Sequence, residues 1–119
     1  MRYLTLLAVG FLLAQPIQAQ APEPKIELKA TAGNGQITVS GSVDVPAGWR
    51  LSIHTLNVKY RKESGGATLN WLIPVKGGKF EASIGMNSGS YAVWGVIDVK
   101  DREGREKQIS SPPQSAKVP

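Results

Sequence analysis

Ile37-Thr38-Val39-Ser40-Gly41-Ser42-Val43-Asp44-Val45 puts an apolar or small residue at every odd position and a polar one at every even position. That period of two belongs to a strand with one buried and one wetted face; a helix would repeat its apolar face about every 3.6 residues. Upstream, Ile26, Leu28 and Ala30 alternate with Glu27 and Lys29, and Gly33-Asn34-Gly35 separates the two runs with residues that tolerate positive φ. Downstream, Pro46-Ala47-Gly48 ends the second strand. The third carries a reversal: Trp49, Leu51 and Ile53 hold the odd phase, but Leu56, Val58 and Tyr60 hold the even one. A slip of one residue turns every side chain over, so the spacing predicts a bulge or bend at His54-Thr55.

Further along, Leu69, Trp71, Ile73 and Val75 form a fourth strand, and Pro74 within it lacks the ladder donor and assigns it to a sheet edge. Phe80, Ala82, Ile84 and Met86 follow the Gly77-Gly78 turn. Tyr91 to Val99 is apolar on both faces, as expected of a central strand or of one whose outer face meets a partner. Asp101-Arg102-Glu103-Gly104 makes the next turn, Arg105 to Ser110 is a polar final strand, and Pro112-Pro113 stops it. Nothing after Ala19 repeats with a helical apolar period. The expectation is all-β: seven strands over residues 25–111, a proline-rich leader at 20–24 and a C-terminal tail at 112–119.

Composition narrows the function classes. The chain has 119 residues, enough for one domain, with 41% hydrophobic and 19% charged residues. Without cysteine it has no disulfide framework and no thiolate chemistry, and its one histidine, His54, leaves little room for histidine-based catalysis. Residues 1–19 have the layout of a secretory signal peptide: Arg2, an apolar run from Leu4 to Ala14, and a turn-prone exit ending at Ala19. That run is about half of what a spanning helix needs. Cleavage after Ala19 would remove Arg2, leaving 13 Lys+Arg against 9 Asp+Glu, a net charge of +4, and no integral span. The short signal reads as bacterial, and the product as periplasmic or secreted. Lys59, Arg61 and Lys62 cluster, but acids are interleaved elsewhere, so nucleic acid is not an expected partner.

Gly89-Ser90-Tyr91-Ala92-Val93-Trp94, followed by the 101–104 turn and Ser110-Ser111-Pro112, resembles the last hairpin of fibronectin type III and other immunoglobulin-like domains. The resemblance implies a seven-stranded antiparallel immunoglobulin-like β-sandwich, here preceded by a signal-peptide helix. It also implies a tyrosine corner at Tyr91, with the ring in the core and the hydroxyl on a nearby backbone group. It implies no catalytic residues, because functions are grafted onto this fold.

The chemistry-bearing residues form no recognisable constellation. No Gly-x-Ser-x-Gly elbow surrounds a serine, Gly85-Met86-Asn87-Ser88-Gly89 having its serine one position late. Asp98, Asp101 and Glu103 could bring three carboxylates towards a calcium ion, but the ligand pattern of an EF-hand loop is absent. No cofactor is expected. The tryptophans are the better candidates. If Tyr91 points inward, alternation turns Trp94 and Val96 outward, where Val58 or Tyr60 of the third strand would join them. Trp71, Trp94 and Tyr60 would serve as stacking platforms in an alternative, sugar-binding reading. The expected function is that of an exported, non-enzymatic module docking a protein or cell-envelope partner through Trp94, Val96, Val58, Tyr60 and Trp71; the alternative is a small carbohydrate-binding module.

Overall fold

A computed structural model describes residues 22–119. The signal peptide expected at 1–19, its cleavage point and the start of the 20–24 leader lie outside the described residues. Within them the fold is all-β, with nine antiparallel strands: β1 (Lys25–Gly33), β2 (Gln36–Asp44), β3 (Arg50–Leu51), β4 (Thr55–Lys62), β5 (Leu69–Pro74), β6 (Lys79–Gly85), β7 (Gly89–Lys100), β8 (Glu106–Ser110) and β9 (Gln114–Val118). They form two sheets. One has the order β1-β2-β6; the other runs β3-β7-β4-β5, with β8 and β9 pairing the opposite side of β7. Among the described residues no helix is long and apolar enough to cross a membrane.

The core lies between the sheets in a β-sandwich-like arrangement. Ile26, Leu28, Ile37, Val39 and Phe80 from the smaller sheet form one apolar cluster with Leu56, Val58, Ile73, Val93, Ile97 and Val99 from the larger. The alternation of β2 works as read: Ile37, Val39 and Val43 are buried while Thr38 and Ser40 face partly outward. Gly41 has a specific reason to be glycine, since a Cβ there would stand 1.8 Å from the Glu27 carbonyl oxygen and 2.9 Å from the Phe80 ring. Between β1 and β2 only Gly35 takes a left-handed φ, 71°, while Asn34 does not.

Seven strands were expected and nine are present, because two expected segments are each divided or extended. The third is interrupted at residues 52–54, so β3 and β4 pair β7 separately: Leu51 opposite Val99, Asn57 opposite Val96. This break is where the apolar phase reverses. Residues 112–119 are not a tail. After Pro112-Pro113 the chain rejoins the sheet as β9, Gln114 opposite Val93 and Val118 opposite Gly89, and buries Ala116 and Val118. Two prolines cannot donate to a ladder, so β8 has to end there; Ser111, just before them, anchors the step, its N–H donating to the Gly95 carbonyl and its hydroxyl accepting the Gly95 N–H, both at 2.8 Å. Pro74 does lie on an edge strand, since among the described residues β5 pairs only with β4.

β7 holds the larger sheet together, pairing β3 and β4 along one side and β8 and β9 along the other. Tyr91 near its start is buried, and its hydroxyl donates to the Asn87 carbonyl at 2.9 Å. At its far end Asp101 folds the turn onto itself. Its Oδ1 accepts the N–H groups of Glu103 and Arg105, each at 2.9 Å, and its Oδ2 lies 3.5 Å from the Arg105 guanidinium. The Arg105 amide, above all, holds the carboxyl below its ordinary pKa; desolvation opposes this, and the Glu103 amide and the Arg105 and Lys107 charges add to the lowering.

Candidate functional site

Register decides which side chains share a surface. In the larger sheet Val58 lies opposite Trp71 and Gly95, and Tyr60 lies opposite Leu69 and Val93; all of these belong to the inner face. Lys59 lies opposite Asn70 and Trp94, and Asn57 opposite Leu72 and Val96; these belong to the outer face. The five residues expected as one interaction surface therefore split. Trp94 and Val96 face outward as the alternation requires. Val58 is fully buried, while Tyr60 and Trp71 pack partly buried against the core from the inner side. The reversal at residues 52–54 is the cause: it turns the even positions of β4 inward, so Val58 and Tyr60 cannot join Trp94. The three aromatics of the sugar-binding alternative do not share a face.

Gly95 does not return Trp94 to the core, because the β4–β7 register runs unbroken from Asn57 opposite Val96 to Lys62 opposite Tyr91. Instead Gly95 makes room: a Cβ there would stand 3.1 Å from Leu28 and 3.2 Å from Leu56. Trp94 is half-buried on the outer face, and the Arg61 guanidinium carbon stands 5.9 Å from its ring centroid. A cation over an indole at that range is attracted by the ring's negative face. Val96 is only 6% exposed although it lies outside the core cluster.

On the same face, one strand further out on β5, is a residue the sequence pattern alone did not single out. Leu72 is 65% exposed and is the most exposed large hydrophobic among the described residues. Its position was implied by the same alternation, because Trp71 and Ile73 turn inward and leave Leu72 on the opposite side. Lys59 donates to the Asn70 side chain at 3.0 Å, and Asn57 Oδ1 is shielded without a hydrogen-bond partner. The outer face thus presents an isolated leucine, a tryptophan under a guanidinium, a tethered lysine and an unused acceptor. Such a surface can dock a partner by apolar contact and charge, and it holds no nucleophile with a base.

Elsewhere the candidate residues do not converge. His54 is exposed in the break between β3 and β4. Asp98 accepts from Gln108 at 3.1 Å, Asp101 caps its own turn, and Glu103 pairs with Arg105 at 3.2 Å. Among the described residues no three His, Asp or Glu side chains gather closely enough to hold a metal ion. An open cleft of about 630 Å³ lies at one end of the molecule, lined among others by Tyr60, Lys62, Leu69, Gly85 and Met86. No protein-family model matches the chain, and no curated protein matches it significantly.

Proposed function

We propose that this chain is an exported bacterial module of immunoglobulin-like or fibronectin type III-like fold, non-enzymatic, that docks a protein or another component of the cell envelope. The fold reading is supported by strand arithmetic. If β3 is taken with β4 and β8 with β9, seven strands remain, three in one sheet and four in the other, within the immunoglobulin-like pattern. It is also supported by Tyr91, whose buried ring and hydroxyl bond to Asn87 O match a tyrosine corner.

The observation that carries the docking reading is Leu72, 65% exposed on the outer face of the larger sheet, the face it shares, across β4, with the half-buried Trp94. An exposed leucine and a half-buried tryptophan on one sheet face supply the aliphatic and aromatic surface that an interface centre uses. The test is expression of the full chain in a bacterium, with fractionation and intact-mass measurement. The expected product begins at Gln20 and sediments with the envelope, and Leu72→Glu releases it without lowering its melting temperature. An unprocessed cytoplasmic product, or envelope association untouched by Leu72→Glu and Trp94→Ala together, refutes the reading.

A further inference from the structure

We infer that the free edge of β6 receives an extended segment of a partner protein as a fourth strand, with alternating apolar residues and an acidic flank. This rests on the reading of the chain as a docking module and gives it a second location and a ligand class.

The two sheets are unequal in breadth. The smaller ends at β6, whereas the larger continues past β4 to β5. Inward-facing side chains near that overhang are incompletely covered. Val58 and Ile73 are buried, but Tyr60 and Trp71 are only partly so, and Leu69 is 53% exposed. Across from them Ala82, Ile84 and Met86 of the β6 segment are also half-buried. Both rows of the apolar layer are therefore left partly uncovered beyond the edge of β6, where no strand among the described residues lies. The gap is closed at the Gly77-Gly78 turn, where β5 leads into β6, and at the other end opens into the cleft of about 630 Å³.

The backbone of β6 is set up to fill it. Met86 N–H donates to Gly35 O and Val43 N–H to Gly78 O, both at 2.8 Å, so the even residues of β6 are those bonded to β2. Lys79 N–H points the other way, onto Lys76 O at 3.0 Å. Both polar groups of one residue leave an antiparallel strand on the same side. Glu81, Ser83 and Gly85 accordingly turn their N–H and C=O groups away from β2, to an edge that no strand among the described residues pairs. The edge of β5 is different. Val75 N–H bonds His54 O at 3.0 Å, which leaves Pro74 in the outward phase, where it supplies no donor. An added strand is therefore matched to β6, by main-chain bonds for affinity and alternate side chains for fit.

Charge selects the flank. The cleft is lined by Arg61 and Lys62 and by no acid. Arg61 is committed to Trp94 on the outer face, whereas the Lys62 ammonium lies beside Gly89 and makes no ion pair among the described residues. A carboxylate at the end of the incoming segment meets that ammonium.

The probe is a synthetic peptide, acetyl-EVTVTVE-amide, titrated into the ¹⁵N-labelled protein. Saturable amide shifts and slowed exchange are expected at Glu81, Ser83 and Gly85. Ser83→Pro removes an edge donor without removing a main-chain bond to β2, and weakens binding at least about tenfold; Ser83→Ala, which likewise loses the hydroxyl bond to Thr38 at 2.6 Å but keeps the edge donor, does not. Lys62→Glu, or lysine in place of both peptide glutamates, weakens binding by roughly the same factor at low salt. Circular dichroism of Ser83→Pro checks its fold, and Lys62→Glu carries the test if that variant unfolds. No binding, undiminished binding of EVTPTVE, or a dimer closed through β6 overturns the inference. Shifts confined to Leu72 and Trp94 overturn it too, but leave the docking reading intact.

Discussion

Two glycine-to-alanine substitutions, Gly41→Ala and Gly95→Ala, add the same single carbon to facing sheets and are expected to differ several-fold in their effect. At Gly41 the new Cβ meets backbone: the Glu27 carbonyl oxygen at 1.8 Å, with the Phe80 ring at 2.9 Å. A carbonyl inside a paired strand has no rotamer to retreat into, so relief requires β1 to part from β2 around the Leu28–Gly41 pair. Severe strain of this kind belongs to the long tail of mutational effects, about 4 kcal/mol or more. At Gly95 the neighbours are side-chain ends, Leu28 Cδ1 at 3.1 Å and Leu56 Cδ1 at 3.2 Å, which move by a few tenths of an ångström. Overpacking of roughly 1 to 3 kcal/mol is partly offset by the ~0.5 to 1 kcal/mol that glycine loses to alanine in a strand, leaving about 1 kcal/mol. For a domain of this size those values mean Tm losses of roughly 16 °C or more against about 4 to 8 °C. Urea and thermal melts followed by tryptophan fluorescence read both. Equal losses, or a Gly41→Ala protein that melts like the parent, would refute the register and the packing argument together.

Tyr91→Phe, which removes the hydroxyl donated to Asn87 O, lowers stability by about 1 kcal/mol in urea melts, whereas Tyr91→Ala loses roughly 3 to 5 kcal/mol because the ring is core. Ser111→Ala leaves the buried Gly95 N–H without its 2.8 Å partner, and a loss of about 1 to 3 kcal/mol is expected from the same measurement. Asp101 titrates below its ordinary value in the folded state, so the unfolded chain takes up its proton first as pH falls. Its stabilisation is full above the unfolded pKa and fades below about pH 4 as pH drops through the lowered folded value. Asp101→Asn therefore flattens the acid limb of a stability-against-pH curve; an unchanged acid limb would show that the turn does not depend on the charge.

Much of this architecture was written in the alternation. Ile37, Val39 and Val43 of β2 and Phe80 of β6 face inward as their spacing requires, and the reversal between Ile53 and Leu56 marks the actual break in the sheet. What the reversal means for partners was harder to read. It tells that the face changes but not that the even positions of β4 are the inner ones, and so Val58 and Tyr60 were set beside Trp94 when they lie across the sheet from it. Leu72 was hidden by its neighbours: among Trp71, Ile73 and Pro74 it reads as one more core residue, and only strict counting places it outside. The last strand was obscured by Pro112-Pro113. Those prolines end β8, yet the alternation of Ala116 and Val118 beyond them is short, and burial comes from β7 rather than from any local signal. An unpaired edge is legible only where a residue such as Pro74 marks it; β6, Lys79–Gly85, carries no proline, and its edge left no trace.

The centrality of β7 bears on how the chain is assembled in time. Every strand of the larger sheet except β5 bonds to it directly, and β5 reaches the sheet only through β4. A nascent or clipped polypeptide stopping short of Gly89 would hold β4 and β5 as a lone hairpin, below the size at which a ribbon persists in water. The whole larger layer thus waits on twelve residues late in the chain, and a nascent copy would stay pliable, and open to capture by chaperones, until they emerge.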